Sequence, residues 1–127
     1  MNSSQSKMQH RPSRFEVIET DKYLTTLKGV LKSHYRNDRK GAELLRVLLD
    51  EFRRDFEEFG EVGGKTAPEP VKLPHSYFKV RFNMPSLQGA SRLGRIIYAK
   101  QASRVILVII YTHKEYEKRP PVDLLKI

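Results

Sequence analysis

The run Arg104-Val-Ile-Leu-Val-Ile-Ile-Tyr-Thr112 decides the fold class. It is apolar at every position from Val105 to Ile110, so a strand here must be covered on both faces or lie at the centre of its sheet. Immediately upstream, Lys100–Ser103 reads as a turn and Arg92–Ala99 as the preceding strand. Further back, Ser76–Phe82 alternates strictly, with Tyr77, Lys79 and Arg81 on one face and Phe78, Val80 and Phe82 on the other. Asn83–Ser91 joins these two strands as a hairpin loop. Three strands in series with short connections make an antiparallel meander.

The first half of the chain supplies what covers that meander. Phe15–Thr20 alternates briefly and predicts a short strand. Asp21 then caps a helix from Lys22 to Tyr35, whose apolar positions Tyr23, Leu24, Leu27, Val30, Leu31 and Tyr35 recur at spacings of three and four. Asn37-Asp38 supplies a turn and a cap for a longer helix ending at Phe59, with Leu45, Leu48, Phe52, Phe56 and Phe59 as its stripe and Gly60 as its stop. Gly60–Pro74 reads as a loop. Beyond the last strand, His113–Arg119 is polar, Pro120-Pro121 ends it, and Val122–Ile127 adds a short helix or strand. The expectation is an α+β fold: a two-helix hairpin on one face of an antiparallel sheet, in the order β-α-α-β-β-β plus a short C-terminal helix. Residues 14–127 form a single domain, and 1–13, polar and broken by Pro12, form a disordered tail.

Composition narrows the function classes. The chain of 127 residues carries 24 Lys+Arg against 15 Asp+Glu, a formal net charge of +9, with no cysteine and no tryptophan. The missing cysteines exclude a disulfide framework, a thiol nucleophile and a cysteine-ligated zinc, and lead to the expectation of a reducing, cytoplasmic location. No apolar run approaches the roughly 20 residues of a membrane span, and the polar N-terminus does not read as a secretory signal. Residues 1–64 hold 12 basic and 11 acidic side chains, whereas 65–127 hold 12 and 4. The excess therefore lies in the half that carries the strands, as expected for a polyanion partner.

Phosphate-binding loops, dinucleotide fingerprints, HExxH and GxSxG are absent, and His10, His34, His75 and His113 have no ligand spacing, so neither a metal nor a cofactor is expected. What remains is basic and aromatic side chains on adjacent strands: Tyr77, Lys79 and Arg81 on one, Arg95 and Tyr98 on the next, Lys114 and Tyr116 after the last. Guanidinium groups grip phosphates and tyrosine rings stack on bases, a combination suited to RNA.

These segments also resemble a known family. Tyr77–Phe82 (YFKVRF), Leu93–Lys100 (LGRIIYAK) and Ser103–Lys118 (SRVILVIIYTHKEYEK) are similar to the basic strand, the Tyr/Arg-bearing strand and the apolar last strand with its polar sequel in the RelE/ParE superfamily of toxins from type II toxin–antitoxin modules. The resemblance covers about residues 14–118. It implies a two-layer α/β sandwich with the first strand beside the last, a cognate antitoxin as partner, and, in the RelE branch, metal-independent cleavage of mRNA, often on the ribosome. It implies phosphate contacts from Lys79, Arg81 and Arg95, with Arg95 and Arg81 stabilising the charge that develops at the scissile phosphate. Two departures stand out. Glu115 falls near the family's catalytic arginine, and Pro120-Pro121 interrupts where a tyrosine is expected. Branches that place histidine and tyrosine near the end of the last strand point instead to His113 and Tyr116. Tyr77, Tyr98 and Lys114 complete the expected RNA contacts. Two alternatives remain open here: a ParE-like toxin that inhibits gyrase by protein contact, and a basic nucleic-acid-binding module without activity.

Overall fold

The structure, a computed structural model, describes residues 14–62, 69–71, 77–116 and 120–125. The element order β-α-α-β-β-β holds, with one short strand added. Strand β1 (Glu16–Glu19) leads into helix α1 (Asp21–His34) and helix α2 (Arg39–Phe59). Strands β2 (Glu69–Val71), β3 (Tyr77–Asn83), β4 (Leu93–Gln101) and β5 (Arg104–Thr112) follow, and a short 3-10 helix, Val122–Leu125, comes after them. The expected 1–13 tail lies outside the described residues, as does most of the 60–74 loop.

The sheet runs β1-β5-β4-β3-β2. It is antiparallel except for β1, which pairs parallel with β5 from Glu16↔Arg104 to Glu19↔Leu107. The first strand thus lies beside the last, and β5 has a neighbour on either side. The added strand β2 falls within a segment whose prolines read as loop. Pro70 has no N–H to donate, and an edge strand tolerates this where a central one does not.

Chemistry at each helix end explains the boundaries. Thr20, not the expected Asp21, caps α1: its Oγ1 accepts from the Tyr23 N–H at 3.0 Å and also donates to the Leu107 carbonyl at 2.8 Å. Asp38 Oδ1 accepts from the Gly41 N–H at 2.8 Å at the start of α2, and Gly60 closes that helix in the left-handed region at φ 74°. Where β1 stops, α1 takes over the edge of β5, since the Ile110 N–H donates to Thr26 Oγ1 at 3.1 Å. On the outer edge of β1, the Phe15 N–H donates to the Glu57 carbonyl at 3.0 Å. These bonds satisfy backbone groups that an open edge would leave unpaired.

The apolar run of β5 faces two cores. Val105, Leu107 and Ile110 pack with Tyr23, Phe52, Phe56, Val80, Ile96 and Tyr98 under the helices. Ile106, Val108 and Ile109 pack on the other face with Tyr77, Ile97, Ala99, Tyr111 and Leu125. A register shift against Ile97/Tyr98 of β4 is why the adjacent Val108 and Ile109 both reach this second core. Leu24 and Phe59, expected on the buried stripes, are instead about half exposed, at 45% and 52%.

Gly94 of β4 is held by packing. A Cβ there would stand 2.8 Å from the Phe82 ring and 2.9 Å from the Met84 sulfur. Gly94→Ala is therefore expected to lower stability by about 1–3 kcal/mol through overpacking, a loss readable in the denaturant midpoint.

Candidate RNA-binding face

Three strands bring the site together at one end of the sheet. Arg81 of β3 lies directly opposite Arg95 of β4, and Arg95 lies opposite Tyr111 of β5. Lys79 is one step away on the same face of β3, across from Ile97. Side chains directly opposite on neighbouring strands stand about 5 Å apart at Cβ, and like charges so placed work against pairing. The register therefore sets two arginines side by side on one face of the sheet, and a guanidinium is the side chain whose planar fork suits phosphate oxygens. Arg81 is exposed, and Lys79 and Arg95 are half-buried. Arg95 Nη1 donates to the Gly94 carbonyl at 2.8 Å.

The turn after β5 adds the remaining members. Tyr116 packs edge-on against Tyr111 with ring centroids 5.6 Å apart, so one aromatic pair borders the arginine row. The His113 N–H donates to the Leu93 carbonyl at 3.0 Å and ties this turn to β4. His113 is half-buried and Lys114 exposed.

Two expected contacts are corrected. Tyr98 is 0% exposed, on the helix side of the sheet against Phe56 and Phe78. Its parity along β4, opposite to that of Arg95, places it there, and no base can reach it. Tyr77 has the expected parity, but it is 3% exposed in the second core, which includes Leu125 from the C-terminal 3-10 helix. Among the described residues, the sheet's outer face is therefore apolar and buried over much of its area, and Arg81 and Arg95 stand toward one end of it.

Burial raises the phenol pKa of Tyr77. Burial, with a smaller contribution from the Glu61 carboxylate, raises that of Tyr98. The Tyr98 hydroxyl has no hydrogen-bond partner among the described residues. Because a buried unsatisfied hydroxyl carries a desolvation penalty of about 1–3 kcal/mol, Tyr98→Phe is expected to raise the thermal midpoint. A lower midpoint would mean that the hydroxyl is satisfied in solution.

Four residues that were not among the expected site residues, Tyr111, Thr112, Glu115 and His34, organise the turn. Tyr111, the tail of the apolar run, is 4% exposed and belongs to the second core; it stands opposite Arg95 in register and seats the Tyr116 ring rather than offering a free face. Glu115 is a structural hub: its Oε1 accepts from the Thr112 N–H at 2.8 Å and from the Thr112 hydroxyl at 3.0 Å. Its Oε2 hydrogen-bonds the His34 ring Nε2 at 2.7 Å. The C-terminus of α1 is thereby fastened to the turn that bears His113, Lys114 and Tyr116. Capping-type contacts over 81 residues of sequence leave no local signal.

Among the described residues no group of three or more His, Cys, Asp or Glu side chains is placed to hold a metal ion, and no helix is long and apolar enough to cross a membrane. A cavity of about 190 Å³, lined by Tyr23, Leu27, Phe52 and Ile96 among others, lies on the helix side of the sheet, away from the arginines.

Fold and face together define a small α+β protein that presents a paired-arginine row on one sheet face. No family model matches the chain, and no curated protein matches it. Among solved structures, the chain is similar to the YoeB dimer from Staphylococcus aureus. The likeness spans 78% of this chain and 97% of that one, at 16% identity and a TM-score of 0.44.

Proposed function

We propose that this protein is the toxin of a type II toxin–antitoxin module, a RelE-like endoribonuclease that cleaves mRNA to stop translation. The observation that carries the reading is the row Arg81–Arg95–Tyr111 across three strands, with Lys79 beside it on the same face. It joins the motif resemblance of Tyr77–Phe82, Leu93–Lys100 and Ser103–Lys118 to one patch of surface.

In this reading the RNA backbone lies across β3 and β4, with its phosphates on Arg81, Arg95 and Lys79. The 2′-hydroxyl of the nucleotide before the cut attacks the adjacent phosphorus, the P–O5′ bond breaks, and the products are a 2′,3′-cyclic phosphate and a 5′-hydroxyl. Arg95 and Arg81 stabilise the charge that builds on the non-bridging oxygens. One group must take the 2′-proton and another must protonate the leaving 5′-oxygen. His113 is assigned as base because histidine, of the residue types near the site, ordinarily titrates closest to neutrality. Tyr116, held against Tyr111, donates the proton or stacks on a base, and Lys114 adds a phosphate contact. The cognate antitoxin, acidic to match this face, blocks the row until it is removed.

Induced expression in growing cells tests the reading. Protein synthesis should stop within minutes while mRNAs acquire new 5′-hydroxyl ends. Arrested growth with intact mRNA and inhibited gyrase would replace the ribonuclease with a gyrase-directed toxin.

A further inference from the structure

The helical hairpin looks nearly neutral in bulk, and its charge is sharply divided. Residues 28–40, spanning the end of α1, the turn and the start of α2, carry Lys28, Lys32, Arg36, Arg39 and Lys40 against the single acid Asp38. Residues 43–61, the rest of α2 and its end, carry seven acids against Arg46, Arg53 and Arg54.

Local helix chemistry accounts for only part of this division: Lys32 and His34 suit the last turn of α1, but the α2 side of the tip runs against it. A helix N-terminus favours anions and its C-terminus cations. Yet α2 has no acid in its first turn, where Arg39 and Lys40 stand, and no base in its last. The pairing differs too. On the acidic part, Arg46 pairs with Glu43, and Arg53 with Glu19 and Glu57. The five cations of the tip are all exposed, and among the described residues none of them enters an ion pair.

The tip also sits beside the candidate face. Tyr35 Oη donates to the Pro85 carbonyl at 2.7 Å, which seats the hairpin turn on the β3–β4 connection. His34 holds Glu115 at 2.7 Å. Both ties are at the end of the sheet where Asn83 pairs with Leu93 and Gly94 with Thr112, next to the arginine row. Exposed Arg92, closing the 3-10 helix Gly89–Arg92, and exposed Lys114 lie on the two segments that meet the hairpin there.

We infer that the hairpin tip is a second RNA-backbone site, binding phosphates of the same RNA beyond the segment that lies on Arg81 and Arg95. In this arrangement the RNA passes from the sheet by exposed Lys114 and Arg92 to exposed Lys32, Arg36, Arg39 and Lys40. The partner is RNA rather than an acidic protein because the tip continues the face already assigned to RNA, and the inference rests on that assignment. The tip contributes affinity without base preference, since phosphate contacts position a nucleic acid and carry no sequence information.

The test compares the parent with the variant Lys32→Gln/Arg36→Gln/Arg39→Gln/Lys40→Gln on two probes, a four-nucleotide RNA long enough only for the sheet row and a 30-nucleotide RNA with a stem. For the longer probe the slope of log affinity against log salt should flatten by about 0.7–0.9 for each lost phosphate contact, so by about 3 in all. Affinity for the short probe should stay within about twofold, and a variant with Arg36→Lys and Arg39→Lys should keep the parent's slope. The quadruple variant should melt close to the parent, because removing Arg39 and Lys40 from the first turn of α2 offsets the loss of Lys32 from the last turn of α1. An unchanged slope on the longer RNA, or equal losses on both probes, would overturn the inference, as would a loss confined to an acidic polypeptide such as polyglutamate. Failure of the parent to bind the short probe would count against the sheet face itself, a different result from any of these.

Discussion

Arg95→Ala is expected to lower RNA cleavage by roughly 10²–10³-fold, the usual loss when one donor to developing charge is removed from a catalytic site. Arg95 occupies the centre of its row, with Arg81 on one side and Tyr111 on the other. Its side chain is half-buried and sits on the outer face, outside both packed clusters. The thermal midpoint of the variant should therefore stay close to the parent's while single-turnover cleavage collapses. Arg95→Lys should recover only part of the rate, because an ammonium keeps the charge and loses the planar fork. If cells making the Arg95→Ala protein arrest as fast as those making the parent, Arg95 has no part in the chemistry.

The second large effect is alkaline unfolding. Burial raises the phenol of Tyr23, with the Glu19 carboxylate adding to it and Arg53 opposing. Burial and then the Asp38 carboxylate push Tyr35 up to about 12, and Tyr98 is raised as described above. In the unfolded chain all three ionise near pH 10. Between that value and their native values the unfolded chain binds fewer protons than the native protein, so stability is full below about pH 10 and falls as pH rises further. Each phenol contributes a slope of about 1.4 kcal/mol per pH unit, so the three together approach roughly 4 kcal/mol per unit. Against a typical total of about 5–15 kcal/mol, that slope removes a large share of the stability within the first one or two pH units above 10. Denaturant midpoints measured at pH 8, 10 and 11 check this. Tyr23→Phe should reduce the drop by about a third, and a midpoint that does not move up to pH 11 would show that these phenols are not buried in solution.

Much of the fold is legible in the sequence because it is written in local pattern. The β5 run, the period-two alternation of Tyr77–Phe82 and the cap and stop at Asp38 and Gly60 each specify an element by short-range physics. Long-range relations are not written that way. Nothing near Thr20 signals that its hydroxyl reaches the Leu107 carbonyl, and nothing near Leu125 signals that it joins Tyr77 in a second core. That core takes Tyr77 out of the site. Tyr98 was readable, since strand parity alone puts it opposite Arg95, and parity governs over the appeal of an aromatic beside basic residues. The row Arg81–Arg95–Tyr111 needed the register of two strand pairs, which is set by loop length and a register shift at Ile97/Tyr98 rather than by composition. His34 and Glu115 are brought together only by the tertiary fold. Each alone reads as a surface residue.

The products of the cleavage reaction distinguish the proposed function from its alternatives. Purified protein, freed of any antitoxin, is incubated with an end-labelled mRNA in excess EDTA, with and without translating ribosomes, and the new ends are identified chemically. The proposed mechanism predicts fragments ending in a 2′,3′-cyclic phosphate facing fragments that begin with a 5′-hydroxyl. An mRNA left intact under both conditions, or fragments that begin with a 5′-phosphate, would contradict it.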